Sequence, residues 1–294
     1  MKSRPMMISV LLILLFAATS FPLKIVATIN PYYLILKEIT GEETEVDLLV
    51  GPGQNPHIFS PKISDIRKLN EADLVIANGL DLEVFLNPYL EDLSLRGKTV
   101  VYVGSILPDE LLVDEKEKSD DDASGHHDNP HVWLDPIILS DYVVPFLVST
   151  LSSLDPGNSE FFTSNAADLI KNLQEFNDET ASYMERFEGK TVIVAHPSFS
   201  YFFKRYGILL EPVLQGVGDE PTIGEIMKLV DFVRSQDVIG MFAEYQHSKR
   251  AIDILMDETS VKHGELDSLG ISTESIMELL QWNLVEIKKV FDGE

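Results

Sequence analysis

Short runs of Val, Ile, Leu and Ala recur along this 294-residue chain, with helical stretches between them. In the first half the runs are Lys24–Ile29, Val46–Val50, Leu74–Ala77 and Val100–Val103. In the second they are Thr191–Ala195, Leu209–Leu214, Val238–Ala243 and a weaker Val261–Leu266. These segments do not alternate apolar with polar residues. A strand that is apolar at nearly every position is covered on both faces, and parallel sheets of α/β folds consist of such strands. Helical stretches open at Pro31 and cover Ile63–Asn70, Leu82–Leu90, Ile223–Arg234 and Ser248–Thr259, as crossovers between parallel strands require. The pattern predicts an α/β protein of two halves, although no sequence repeat relates them.

The pattern changes at Asn158–Phe187. Apolar residues fall at Phe162, Ala166, Leu169, Ile170, Leu173, Phe176, Tyr183, Met184 and Phe187, mostly three or four apart. That is the period of an amphipathic helix. Asp155, Pro156 and Gly157 mark its start and Gly189 its end. Thirty residues at 1.5 Å each reach roughly 45 Å, too long for an ordinary connection within a domain. The stretch is expected to be a backbone helix joining two lobes; two helices with a bend near Asn177 are the alternative. The expected division is a targeting segment over 1–20, a lobe over 21–154, the linking helix over 155–189 and a second lobe over 190–294.

Lys2 and Arg4 precede an apolar run from Met6 to Ala18, and small residues follow as far as Ser20. This reads as a secretory signal peptide, or as an uncleaved membrane anchor. Either way the remainder is expected outside the cytoplasm. With no second apolar stretch of about 18 residues, the rest is read as soluble. The chain carries 23 Lys and Arg against 48 Asp and Glu, a net charge of −25. Such a surface repels phosphate backbones, so no nucleic-acid partner is expected, and it is compatible with a cationic ligand. The absence of Cys excludes thiol catalysis, disulfides, thiolate zinc sites and lipid attachment through a Cys.

Seven His remain as candidates for chemistry, and three sit beside Pro. His57 lies in NPHIFSP, His131 in NPHVWLDP and His196 in AHPSFSYF, directly after an apolar run. Ligands of open α/β sheets bind beyond the carboxyl ends of the strands. His57 and His196 fit that position, and Asp267 follows the last run in the same way. About 65 to 75 residues separate each from the next, so each comes from a different α/β unit and a cleft between lobes could gather all four. Imidazole and carboxylate suit zinc and, less strongly, manganese or iron(II). Taken singly, a His beside Pro is more often a surface or capping residue, and spacing this wide lacks the force of a local motif.

The motifs taken together, in their order, resemble the cluster A-I (cluster nine) substrate-binding proteins of zinc and manganese ABC importers. The resemblance runs from about Lys24 to the C-terminus. It includes NPHIFSP, ADLVIANGLDLE, NPHVWLDP, AHPSFSYF, FAEYQHS and ELDSLG. It implies two α/β lobes bridged by one long helix, with metal in the cleft between them. It implies His57, His131, His196 and Asp267 as the metal ligands, with Glu244 beside them as a supporting residue. His at the third position goes in that family with zinc and Glu with manganese, so Zn²⁺ is expected first and Mn²⁺ second. The implied function is extracytoplasmic capture of the ion and delivery to a membrane ABC permease, by a monomer that is not an enzyme. A zinc-dependent hydrolase, an adhesin and a metal-chelate binder stand as alternatives. The acidic stretch Asp114–Asn129, with His126 and His127, is expected to be a solvated loop, and His247 and His263 to have no ligand role.

Overall fold

The computed structural model describes residues 22–42, 44–114, 128–213, 221–246 and 249–293. The proposed targeting segment, His126, His127 and His247 therefore lie outside the described residues. The elements follow in the order β1 (Lys24–Ala27), α1 (Asn30–Thr40), β2 (Glu45–Leu48), α2 (Ile63–Glu71), β3 (Leu74–Ala77), α3 (Asn87–Leu95) and β4 (Thr99–Tyr102). After the acidic stretch come α4 (Pro136–Ile138), a π turn at Leu139–Val143, α5 (Val144–Leu154) and α6 (Ser159–Met184). The second half holds β5 (Thr191–Val194), α7 (Ser200–Arg205), β6 (Leu209–Pro212), α8 (Ile223–Ser235), β7 (Val238–Glu244), α9 (Arg250–Glu258), β8 (His263–Leu266) and α10 (Ile276–Asp292).

Two four-stranded sheets result, ordered β2-β1-β3-β4 and β6-β5-β7-β8, and every pairing is parallel. The two orders are the same when each half is counted from its own first strand. A shared topology thus underlies halves whose sequences show no repeat. The predicted long helix is α6, 26 residues without a break at Asn177, which spans about 39 Å.

Side-chain alternation along the central strands explains the layering. Ile25, Leu74 and Ile76 of the first sheet and Val192, Val194 and Phe242 of the second face inward. They pack with α1, α5, α6 and α10 into one core continuous through both halves, which includes Phe162, Leu169, Leu173 and Met184 of α6. The intervening residues Val26, Val75 and Ala77 meet Leu69, Leu90 and Leu93 of α2 and α3 on the other face of the first sheet. Ile193, Met241 and Ala243 meet α8 and α9 in the same way. Strands buried on both faces account for the uninterrupted apolar runs in the sequence. The central helical layer is common to both sheets, so each half buries one face only with the other half's help.

Two elements went unread in the sequence. The helical stretch Pro136–Leu154 is long and apolar enough to cross a membrane by length and composition, which corrects the expectation that no second such segment exists. Its buried stripe (Ile138, Leu139, Val143, Val144, Leu147 and Leu151) packs into the common core. The C-terminal α10 carries Ile276, Leu279, Leu280, Leu284, Ile287 and Val290 on its buried face, spaced three and four apart. Ser275 caps it by accepting from the Glu278 amide at 3.0 Å.

Docking of α10 depends on glycine in two adjacent strands. A Cβ at Gly240 or at Gly264 would lie 2.7 Å from a Val290 methyl. Gly264→Ala is therefore expected to destabilise the fold by about 1–3 kcal/mol through overpacking, measured by urea unfolding. An unchanged midpoint would show that α10 sits elsewhere on the sheet.

Candidate metal centre

Three segments bring His57, His131 and His196 together. His57 and His131 each occupy the third place of an Asn-Pro-His turn. Pro restricts the backbone, and the Asn side chain accepts the amide two residues on. Asn55 Oδ1 accepts from the His57 N–H at 2.9 Å, and Asn129 Oδ1 from the His131 N–H at 2.9 Å. His196 leaves the end of β5 in an extended conformation, and Pro197 opens the short turn that follows.

One ring nitrogen from each of the three His lies within 4.8 Å of those from the other two. The Nε2 atoms of His57 and His131 are 3.5 Å apart. A tetrahedral zinc with Zn–N bonds of about 2.0–2.1 Å would separate two of its nitrogens by about 3.3 Å. The ring centroids are 5.0–5.4 Å from one another. His131 and His196 are 3% exposed, whereas His57 is half-buried. Three imidazoles held this close, two of them out of water, can coordinate one divalent cation while neutral and repel one another once protonated.

Asp267 is also buried and follows the end of β8, but it is not part of the three-imidazole group. Its Oδ1 accepts from the N–H groups of Leu269 and Gly270 at 3.0 and 2.8 Å, and its Oδ2 from that of Ile271 at 2.6 Å. Asn283 of α10 clamps the same residue from behind, accepting from its N–H at 2.8 Å and donating to its carbonyl at 2.7 Å. Gln246 Nε2 also lies 3.4 Å from Oδ1, so the lone pair left over is on Oδ2.

Glu244 ends β7, the strand between the one leading to His196 and the one leading to Asp267. It is buried, and burial pushes its carboxyl up to about 8. The Ser198 hydroxyl, the His196 backbone N–H and the Ser268 hydroxyl oppose that rise, and the charge of Asp267 adds to it. The Ser198 hydroxyl donates to Glu244 Oε2.

Polar contacts tie the loops around the site across the two halves. Trp133 Nε1 donates to the Ser268 carbonyl at 2.6 Å, and Asn30 Nδ2 donates to the carbonyls of Leu269 and Gly270, both at 2.9 Å. The Tyr201 hydroxyl donates to the Asn129 carbonyl at 2.7 Å. None of Asn30, Asn129, Trp133 and Asn283 was singled out in the sequence. For Asn129 the signal was present, since Asn-Pro-His occurs twice. His263 is exposed at the start of β8, away from the cluster. Asp114 and Asp128 pair in an isolated antiparallel bridge.

Comparison with known proteins fits this geometry. Residues 25–290 match the family described as zinc-uptake complex component A, periplasmic. A Thermotoga maritima protein with only a provisional description as metal-binding is 37% identical over 283 residues, 96% of this chain and 98% of that one. The high-affinity zinc uptake system protein ZnuA of Bacillus subtilis is 28% identical over 259 residues, 86% of this chain and 80% of its own. The fold matches that of the solute-binding protein FpvC of Pseudomonas aeruginosa, solved in complex with Mn²⁺, with a TM-score of 0.81. That match covers 93% of this chain and 99% of the other at 23% identity. The matched family is one of metal-uptake components rather than enzymes, which removes the hydrolase alternative. With the profile spanning all but the two ends of the chain, and a relative of nearly the same extent sharing more than a third of its residues, the chain belongs to the family of periplasmic component A proteins of zinc-uptake complexes.

Proposed function

We propose that this protein captures a divalent cation, zinc in preference to manganese, outside the cytoplasm and hands it to an ABC permease in the membrane. The observation that carries the reading is the convergence of one ring nitrogen each from His57, His131 and His196 within 4.8 Å. Asp267 is the proposed fourth ligand, using a lone pair left over from its backbone hydrogen bonds. Three imidazoles suit zinc better than the harder manganese ion, and four protein ligands leave little room for a reactive water. The zinc names of the family and of the Bacillus relative support the same order. Manganese is the second reading, supported by the Mn²⁺ complex on the same fold. Lobes over 21–154 and 190–294, a linking helix over 155–189 and a monomeric state belong to the same proposal.

Metal analysis of purified protein, followed by titration of Zn²⁺ against Mn²⁺ in competition with a chelator, tests the reading. One zinc per chain with zinc outcompeting manganese is expected. Preference for manganese would transfer the assignment to that ion, and no binding of either would end it.

Because the core is built of apolar side chains and none of the four proposed ligands belongs to it, the metal-free chain is expected to be folded. Zinc at about a hundred times its dissociation constant should stabilise it by roughly 2.7 kcal/mol, read as a rise in melting temperature. An unfolded metal-free chain by circular dichroism would contradict the continuous core.

A further inference from the structure

Asn129 uses both ends of a buried carboxamide, and it is only 1% exposed. Its Oδ1 accepts from the His131 backbone N–H at 2.9 Å and also lies 2.9 Å from His131 Nδ1. Its Nδ2 donates at 2.9 Å to the carbonyl of Pro197, the residue after His196. Which end of the carboxamide is oxygen follows from its neighbours alone. A carbonyl only accepts, so the group facing Pro197 must be the NH₂. A backbone amide only donates, so the group facing it must be the oxygen. His131 Nδ1 faces that same oxygen and must itself carry a hydrogen. In the neutral ring the lone pair then sits on Nε2, the atom 3.5 Å from His57 Nε2. The turn is pinned from outside as well, because Asn78 Nδ2 donates to the Pro130 carbonyl at 2.9 Å and Tyr201 to the Asn129 carbonyl.

We propose that Asn129 is a positioning residue for metal capture: its carboxamide fixes His131 as the Nδ1–H tautomer and ties that ring to the segment carrying His196. Two imidazoles from opposite halves of the chain are thereby presented together before the ion arrives. The proposal rests on the reading of His131 as a metal ligand. A neutral imidazole with no fixed partner interconverts between tautomers, and only one of them offers Nε2 to the ion. Hydrogen bonds to the far nitrogen of a ligating His orient the ring and raise its basicity. Here a single side chain does this while also holding the neighbouring ligand's loop.

The test compares wild type, Asn129→Ala and Asn129→Asp as full chains. Asp keeps an acceptor for His131 but has no donor for the Pro197 carbonyl. Long-range ¹⁵N–¹H spectra of the metal-free proteins at about pH 8, where imidazole is neutral, report the tautomer. The His131 signal is assigned by its loss in His131→Gln. Zinc affinity comes from chelator competition. Wild type is expected to show His131 protonated at Nδ1. Asn129→Ala should show mixed tautomers and bind zinc roughly 10- to 100-fold more weakly, while Asn129→Asp keeps the tautomer and recovers part of the affinity. His131 protonated at Nε2 in the wild type overturns the proposal without reference to any variant. So does an Asn129→Ala protein that keeps the tautomer, whether its affinity falls or stays within about threefold of wild type. Wild type that binds no zinc overturns the metal reading, and the proposal with it. The tautomer, measured without metal, shows which of the two has failed.

Discussion

Replacing His196 with Ala is expected to weaken zinc binding by more than about a hundredfold. Side chains that only support a metal ligand cost roughly 10- to 100-fold when removed, so loss of a coordinating imidazole should exceed that range. His196 is 3% exposed and packs its ring centroid within 5.3 Å of both other imidazoles. Its removal leaves two His and a carboxylate already engaged by three backbone N–H groups. His263→Ala, at an exposed position on β8, serves as the control and should leave affinity within about twofold. His196→Glu should be milder for manganese than for zinc, because a carboxylate is the harder ligand. Chelator competition with each variant decides the matter. Full zinc affinity in His196→Ala, with loss in His263→Ala, would place the site elsewhere.

Zinc affinity is expected to collapse as pH falls from about 7 to about 5. An imidazole coordinates only when neutral, and its ordinary pKa is about 6.5. Binding therefore holds the rings in the unprotonated form, and protonation of the metal-free site drives release. The sign is fixed: affinity is fully present above the imidazole pKa and is lost below it. One ring of ordinary pKa would cost only about 25-fold between these limits, and each further ring protonated on release steepens the loss. The slope of log affinity against pH thus counts the imidazoles involved. A slope of more than one proton supports the cluster, and a flat profile would exclude it.

Much of the architecture was legible because it is written locally. A strand covered on both faces must be apolar at successive positions, so β1, β3, β5 and β7 stood out as runs such as LVIA at 74–77 and TVIV at 191–194. An amphipathic helix repeats every three or four residues, so α6 was visible with its limits within a few residues. The same signal lies in α10, which was not picked out, and in Pro136–Leu154, where the polar face is too thin to interrupt the apolar run. His57, His131 and His196 could be named from their turns beside Pro, and the family resemblance rested on those same turns.

What the sequence determined by itself is the order of strands and helices and the kind of residue standing at each turn, because backbone preference and apolar period act between neighbours. Only the tertiary structure decided which turns meet. Parallel pairing places the ends of β5, β7 and β8 side by side, which sets His196, Glu244 and Asp267 at one sheet edge. The common helical layer brings the first half's His57 and His131 against His196. The double use of Asn129, on a ring two residues away and a carbonyl 68 residues away, likewise exists only in the folded chain. A contact across such a separation depends on the packing of every element between its partners, and no local pattern in the sequence records it.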